Sequence, residues 1–387
     1  MNSVMAAIPF PQATGFAITS LVQVFQSVLL NQVGGDTSRV FISYSDGVVD
    51  ASGDAPHSDA DGLRWALSTS SDIARIESAV RKQNVKLLVG LDFPVRQPIY
   101  GKLRAAGIES IVSYLGAPSS SENRGLRLLS RRIDVALARW APEHFIFETE
   151  AMRSTGVRGR GIPIQSTSVV PLGVDTSIFR PHQDDKEYPY MALGIPTDRH
   201  LIFYSGHFEA RKGVGVLIDA LRVLVEKFGR KDVHLVLVGN RTGEEIPYRD
   251  MLLNSPADDH VTFGGYRDDI ARLHRGCAMG VIASTGWDSM TMSSVEMQSS
   301  GLPLIVSDLQ GLPETIEQGV TGEVFPVGDS HQLAATVHRL LQDPSKLALM
   351  RAAARTRAVA LYDRTSQIQT LSAVVGQSWA RRRGVWA

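Results

Sequence analysis

Asp288 and Glu296 are the residues whose types and spacing first offer chemistry. They stand in the stretch Ser284-Thr-Gly-Trp-Asp-Ser-Met-Thr-Met-Ser-Ser-Val-Glu296, which begins where the apolar run Met279–Ala283 gives out. An apolar run ending in a Ser/Gly loop reads as a buried strand and its turn. Residues 291–300 have helical length and are stopped by Gly301 and Pro303, and 304–306 read as the next strand. Asp288 falls in the loop and Glu296 inside the helix. Two helical turns take about seven residues, so the carboxylates are expected to share one face at the helix's N-terminal end. That end offers unpaired N–H groups and a positive dipole end, which suits a phosphate. A phosphate cradle beside a carboxylate able to hold ribose hydroxyls is the chemistry of a nucleotide-sugar site. The plainer reading of Glu296 is a solvated or capping acid in an ordinary α/β unit.

A pair of cations supplies the second requirement. Arg211 and Lys212 lie in a loop after the strand 201–204, between Gly206 and Gly213. A nucleotide sugar releases its sugar by breaking a bond to a diphosphate that gains negative charge. Fixed cations beside that group lower the barrier by pre-arranged electrostatics, with no metal. Arginine grips two phosphate oxygens and lysine adds a point charge. Taken alone, the pair reads as solvated surface charge.

Together these features resemble the donor-site signature of the retaining, two-domain (GT-B fold) glycosyltransferases of family 4, which carry two glutamates about two helical turns apart. Glu296 fits the second glutamate and Asp288 the first, and the family's usual Gly-Phe-Gly appears here as Ser289-Met290-Thr291. The resemblance implies that Glu296 holds the ribose hydroxyls and that Asp288 reaches the sugar hydroxyls. The amides of Ser289, Met290, Thr291 and Met292 would meet phosphate or sugar. Arg211 and Lys212 would bind the diphosphate beside Gly206 and Gly239, and Tyr266 and Arg267 would contact the base. Arg211, Lys212 and Asp288 form the implied catalytic group. Gly15, in the loop 9–15, matches a family loop that faces the donor phosphates and the acceptor; a plain turn is the other reading. A histidine that family members often place near residue 114 is replaced by Tyr114-Leu115-Gly116. The run from Thr167 through Gly173-Val174-Asp175 to Phe179-Arg180-Pro181 resembles the family's linker.

The elements that must position these groups alternate between strand and helix, which implies parallel sheets wrapped by helices, with ligands at the strands' carboxyl ends. The expected fold class is α/β with GT-B architecture: two Rossmann-like domains with parallel sheets facing across a cleft. Residues 1–182 are expected as an acceptor-binding domain and 183–364 as a nucleotide-sugar-binding domain. Residues 365–387 are expected as a helix crossing back to the first domain. The implied reaction is retaining transfer of a sugar from a nucleotide-diphosphate sugar to a hydroxyl acceptor: a glycan, a lipid-linked molecule or a small molecule. No cofactor and no metal are expected. Two rivals stay open: a nucleotide-sugar 2-epimerase on the same fold, and a non-catalytic nucleotide-sugar binder. A nicotinamide dehydrogenase is set aside, because Val238-Gly-Asn-Arg-Thr-Gly243 is not the three-glycine fingerprint.

Composition narrows the rest. Hydrophobic residues make up 43% and charged residues 21%, an ordinary soluble balance, and the formal net charge of zero points away from nucleic acid. A single cysteine, Cys277, excludes a disulfide framework and suits a reducing cytoplasm. Residues 13–30 carry no charge, but Thr14, Thr19, Ser20, Gln23, Gln26 and Ser27 interrupt them, so a buried helix is expected there. Asp59-Ala-Asp61, an acid pair of the kind metal-dependent glycosyltransferases of the other major fold use, lies in the polar loop 46–62 and reads as solvated turn. Residues 124–141 read as a basic amphipathic helix with Leu126, Leu129, Ile133, Leu137 and Trp140 on one stripe. The stripe allows peripheral contact with the inner face of a membrane; packing against the chain's own sheet is the expected use. The tail ends in Arg381-Arg-Arg383, read as a solvated helix end that could also touch anionic lipid.

Overall fold

The computed structural model describes residues 1–12, 16–44, 48–50, 70–182 and 185–382. Gly15, Asp59, Asp61 and Arg383 lie outside the described residues. The chain divides into two compact units, Met1–Pro171 with Thr365–Ala387, and Leu172–Arg364.

In the first unit the strands are β1 (Ser3–Ala7), β2 (Val40–Ser43), β3 (Val48–Asp50), β4 (Val85–Leu91), β5 (Ser110–Leu115), β6 (His144–Phe147) and β7 (Thr167–Val169). They form one sheet in the order β3-β2-β1-β4-β5-β6-β7. Its helices are α1 (Phe16–Gln32), α2 (Ser70–Lys82), α3 (Ile99–Ala106), α4 (Gly125–Ala136) and α5 (Glu150–Ser154). β1, β2, β4, β5, β6 and β7 pair in parallel, and β3 alone runs antiparallel, along β2. Val48–Asp50 falls in the stretch expected as a polar loop; two valines beside the edge of β2 are enough to form a short edge strand. The interior strands are apolar on both faces, as a sheet covered on both sides requires. One face packs Leu87, Val89 and Val112 against α1 through Phe25, Val28 and Leu29. The other packs Leu88 and Ile111 against Ile76 and Val80 of α2 and Leu103 of α3.

The second unit contains α6 (Tyr188–Leu193), β8 (His200–Ser205), α7 (Val214–Arg222), β9 (Val233–Val238), α8 (Ile246–Asp250), β10 (Val261–Phe263), α9 (Ile270–Gly276), β11 (Met279–Ile282), α10 (Met292–Ser299), β12 (Leu304–Ser307), β13 (Gly322–Phe325), α11 (Ser330–Leu341) and α12 (Pro344–Leu361). The strand order is β10-β9-β8-β11-β12-β13, parallel throughout. The order reverses between β8 and β11, so a crevice opens outside their carboxyl ends. α7 and α11 cover one face through Leu217, Leu221, Leu333 and Val337. Leu273 of α9 and Met297 of α10 cover the other. Cys277 is buried, and burial pushes its thiol well up.

The boundary falls earlier than expected. Leu172, Val174 and Phe179 bury with Val295, Ala358 and Tyr362 of the second unit, so the chain enters that unit at Leu172 and not at 183. The closing helix α13 (Arg364–Arg382) is also part of the fold's core. From Thr365 on it clusters with the first unit, where Leu371, Val375 and Trp379 bury beside α1 and the indole N–H of Trp379 donates to Glu109 Oε2 at 3.0 Å.

One helix departs from expectation. No residue of α4 is buried, and the stripe faces outward: Leu126 is 84% exposed, Leu137 69%, and Leu129 and Ile133 52% each. The side turned to the unit carries Val135, which packs with Phe145 and Phe147.

Trp379→Ala should remove both a large buried ring and a hydrogen bond at the α13 seat. The expected cost is about 3–5 kcal/mol, read as a lower denaturant midpoint for the first unit's transition. An unchanged midpoint would show that α13 does not seal that core.

Candidate functional site

The expected donor residues gather at the crevice outside β8 and β11. After β8, a single 3-10 turn, Ala210–Lys212, carries Arg211 and Lys212 and ends at Gly213. Gly213 has φ +75°, and a Cβ there would lie 1.8 Å from the carbonyl oxygen of Ala283. Only glycine allows this approach, because the left-handed backbone and the contact both exclude a side chain. The contact lays the loop after β8 against the loop after β11. Backbone bonds extend it: the amides of Thr285 and Gly286 donate to Arg211 O at 2.7 and 3.3 Å.

Lys212 and Asp288 therefore meet. Lys212 Nζ donates to Asp288 Oδ2 at 2.7 Å, and Ser284 Oγ donates to the same oxygen at 2.7 Å. The Asp288 amide donates to Gln310 Oε1 at 3.0 Å, with Gln310 itself at φ +47°. Asp288 is 5% exposed, so its carboxylate needs these partners. Arg211 lies further out. Its Nε donates to Glu209 Oε2 at 2.7 Å, its Nη1 donates to Trp287 O at 3.0 Å, and its guanidinium lies 4.2 Å from the centre of the Trp287 ring.

α10 begins at Met292, capped by Thr291, whose Oγ1 accepts from the Ser294 amide at 3.1 Å. Asp288 thus lies before the cap, and the two acids do not share a helix face as expected. Glu296, inside the helix, is 5% exposed, and its Oε1 has no partner. Burial pushes its carboxyl up to about 7, opposed by the charge of Arg364. Ser289 is likewise buried with an unpartnered Oγ. Two buried oxygens without partners are the feature a bound ligand's hydroxyls would complete. The Met290 and Met292 side chains turn away into the packing around Leu172, Val174 and Val295, and Met290 Sδ accepts from the Leu172 amide at 3.3 Å, so only their backbone is available to a ligand.

Gly206 and Gly239 close the other side. Gly206 follows β8 and Gly239 follows β9; a Cβ on Gly239, at φ +104°, would lie 2.4 Å from Gly206 O. The Gly239 amide donates to Gly265 O at 2.8 Å, which brings the Gly264–Arg267 loop alongside. Tyr266 in that loop is 70% exposed, whereas Arg267 donates from Nε to Asp269 Oδ1 at 2.8 Å. The ion pair with Asp269 holds the guanidinium, which leaves Tyr266 as the freer of the two expected base contacts. Ser284, Gln310, Glu209 and Trp287 were not singled out in the sequence. A serine and a tryptophan flanking a strand-end acid were visible in the motif, but Gln310 joins from 22 residues away and left no local signal.

At the carboxyl edge of the first sheet a second polar group assembles. Tyr114 Oη donates to Glu148 Oε1 at 3.3 Å, and the Gly116 amide donates to Asp92 Oδ1 at 3.0 Å. Burial raises the Asp92 carboxyl, opposed by the Gly116 and Ala117 amides. Carboxylates at this edge are chemically suited to accept hydrogen bonds from hydroxyl groups. Among the described residues no three His, Cys, Asp or Glu side chains cluster as a metal site.

Comparison with known proteins gives this arrangement its relatives. The family model described as glycosyl transferases group 1 matches residues 191–357. The D-inositol 3-phosphate glycosyltransferase of Streptomyces bingchenggensis is 26% identical over 215 residues, 54% of this chain and 47% of that protein. The chain thus spans about half the length of the curated relatives it matches. Among solved structures, Anabaena Alr3699/HepE in complex with UDP superposes with a TM-score of 0.76 at 19% identity, covering 97% of this chain and 100% of that one. A glycosyltransferase from Rickettsia africae gives 0.78 at 14% identity, covering 97% and 98%. These likenesses carry the two-unit GT-B fold.

The Glu296 carboxyl supplies a test that needs no ligand. Its proton affinity is raised on folding, so between pH about 4.5 and 7 the folded chain holds more protons than the unfolded one. Stability must therefore fall as pH rises through that window, by about 1.4 kcal/mol per pH unit from this group. Glu296→Gln removes the effect, so the variant should gain on the native chain as pH rises from 5 to 7. Parallel urea-midpoint profiles would show that Glu296 is not desolvated.

Proposed function

We propose that this chain, whose residues 191–357 belong to the group 1 glycosyl transferases, moves a sugar from a nucleotide-diphosphate sugar to a hydroxyl acceptor. The observation that carries the reading is the junction of cations and unpartnered oxygens at one switch point: Arg211 and Lys212 on one loop, Ser289 and Glu296 on the other. Glu296 accepts from the ribose hydroxyls. Arg211 and Lys212 meet the diphosphate, and Asp288 holds Lys212 in place while its other oxygen is left for a sugar hydroxyl. The UDP held by the Anabaena protein supports a nucleotide diphosphate here. The first unit takes the acceptor at its carboxyl edge, where Asp92, Tyr114 and Glu148 stand ready for hydroxyls.

The reaction proceeds with retention and without a metal. Attack and departure occur on one face of the sugar, the leaving phosphate accepts the acceptor's proton, and the two cations stabilise the charge it gains. The exposed stripe of α4 supports a membrane surface as the acceptor's surroundings. Leu126, Leu129, Ile133 and Leu137 project outward beside the exposed Arg127, Arg131 and Arg132, and Arg139 stacks on Trp140 at 4.5 Å. An apolar stripe bordered by arginines suits an anionic membrane surface, and no described helix is long and apolar enough to cross one.

Binding, kinetics, product analysis and vesicle cosedimentation test this reading. A thermal-shift screen with UDP, GDP, ADP, CMP and dTDP and their sugars should single out one nucleotide, since ligand at a hundred times its Kd adds about 2.7 kcal/mol; no shift from any would remove the donor site. With that donor, Arg211→Ala should lower kcat by about a hundredfold to a thousandfold. Glu296→Ala should instead weaken donor binding by about tenfold to a hundredfold, the loss of a charged hydrogen bond. Transfer should persist in excess chelator, and NMR of the product should show the donor's anomeric configuration; loss in chelator with return on manganese would overturn the metal-free step. For α4, the double variant Leu126→Ser, Leu129→Ser should lose cosedimentation with phosphatidylglycerol vesicles, and undiminished cosedimentation would remove the membrane contact.

A further inference from the structure

The first unit holds a second polar cavity, at the opposite end of its sheet from Asp92 and Glu148. It has a volume of about 150 Å³ and lies where β6 and β7 begin, with α13 as its other wall. His144, the first residue of β6, and Ser168 of β7 line it, with Gln165 just before the strand. From α13 come the neighbours Gln377 and Ser378, and Arg381 one turn further on, four and three residues from them and so beside both on the helix surface.

We infer that this cavity is a binding site for a tetrahedral oxyanion, a phosphate or phosphomonoester, bridging α13 to the sheet. Its lining is rich in donors: a guanidinium, two primary amides, three hydroxyls and an imidazole, with Val374 as its apolar member and the Thr167 hydroxyl already donating to Ile164 O. No carboxylate lines it among the described residues. The neighbouring acids are engaged elsewhere: Glu143 accepts from Arg104 and the Ile111 amide, and Glu109 accepts from Trp379. His144 Nε2 shares a hydrogen bond with Ser168 Oγ at 2.8 Å, and burial, helped by the Arg381 charge, holds the imidazole down to about 4. At neutral pH the histidine is therefore a neutral hydrogen-bonding group, and Arg381 is the cavity's fixed charge. A cavity of about this size takes up a benzene molecule when its walls are apolar; with these walls it suits a phosphate, whose oxygens can accept from several donors at once. The cavity gives Arg381 a role that a solvated helix end would not have.

The test is calorimetry of the full chain with inorganic phosphate, run in parallel on Arg211→Ala to separate this cavity from the donor crevice. Phosphate should bind the native chain and Arg211→Ala alike, and Arg381→Gln, a change at an exposed position, should weaken it about tenfold or more. Binding that survives Arg381→Gln, or that disappears in Arg211→Ala, would overturn the site, as would no binding at millimolar phosphate by both the ion and methyl phosphate. Vesicles of phosphatidylcholine with phosphatidic acid form the second arm. Capture that depends on Arg381 and is displaced by free phosphate would place a lipid phosphate in the same cavity; Arg381-dependent capture that phosphate cannot displace would overturn the cavity as its origin.

Discussion

The crevice outside β8 and β11 depends on one backbone contact, Gly213 against the carbonyl of Ala283. A parallel sheet with a reversal of strand order supplies a crevice but not the positions of groups within it. Those positions follow from how closely two loops can approach. With no side chain at 213, the turn carrying Arg211 and Lys212 settles onto the end of β11, and two backbone amides of the opposing loop bond Arg211 O. Lys212 then reaches Asp288 directly. Lys212 is thus held in place with no ligand present, the pre-arrangement that the proposed transfer would need.

The charge pattern distinguishes the two cations. Lys212 and Asp288 form a pair whose side chains are 16% and 7% exposed, and Ser284 fixes the shared oxygen. Removing either partner would leave the other buried and uncompensated, so the pair sets geometry more than it adds stability. Arg211 and Glu209, at 25% and 53%, form a surface pair of small net strength. Arg211 is thus the cheaper of the two to redirect toward an anion, while Lys212 stays anchored. The buried Ser289 and Glu296 oxygens complete the contrast: the cations already have partners, and these oxygens do not.

Much of this was legible in the sequence, for a physical reason. Parallel strands covered on both sides must be short, apolar and continuous, and His144–Phe147, Ser110–Leu115 and Val85–Leu91 were readable to the residue. Arg211, Lys212 and Asp288 were readable because they sit in glycine-bearing loops after strands, and Glu296 because it stands inside the helix that follows. What sequence spacing could not give was the partner of Asp288. Thr291 caps α10, so Asp288 stays in the loop and pairs with a lysine 76 residues away. Gln310 and the Asp92–Tyr114–Glu148 group escaped for the same reason: their partners are set by sheet order, not by proximity in the chain. Short helices such as α6 and α8 also went unread, since five or six residues carry too little periodicity to stand out.

The outward stripe of α4 shows where pattern alone misleads. Helical periodicity identifies an apolar face but not what that face meets. Here a glycine decides the matter. Gly161, at φ +87°, lies so close to α4 that a Cβ on it would stand 2.7 Å from the backbone carbon of Arg131 and the amide nitrogen of Arg132. Asp134 is drawn to the same side by Arg160, 2.7 Å away, and Arg96, 2.8 Å away. A helix held through its backbone and one acid needs no large side chains in its seat. The leucines are therefore left to the outside, bordered by arginines that raise the solubility of the free chain and also suit an anionic surface. The docking that a leucine stripe usually performs is done by glycine and two ion pairs, which leaves the stripe exposed.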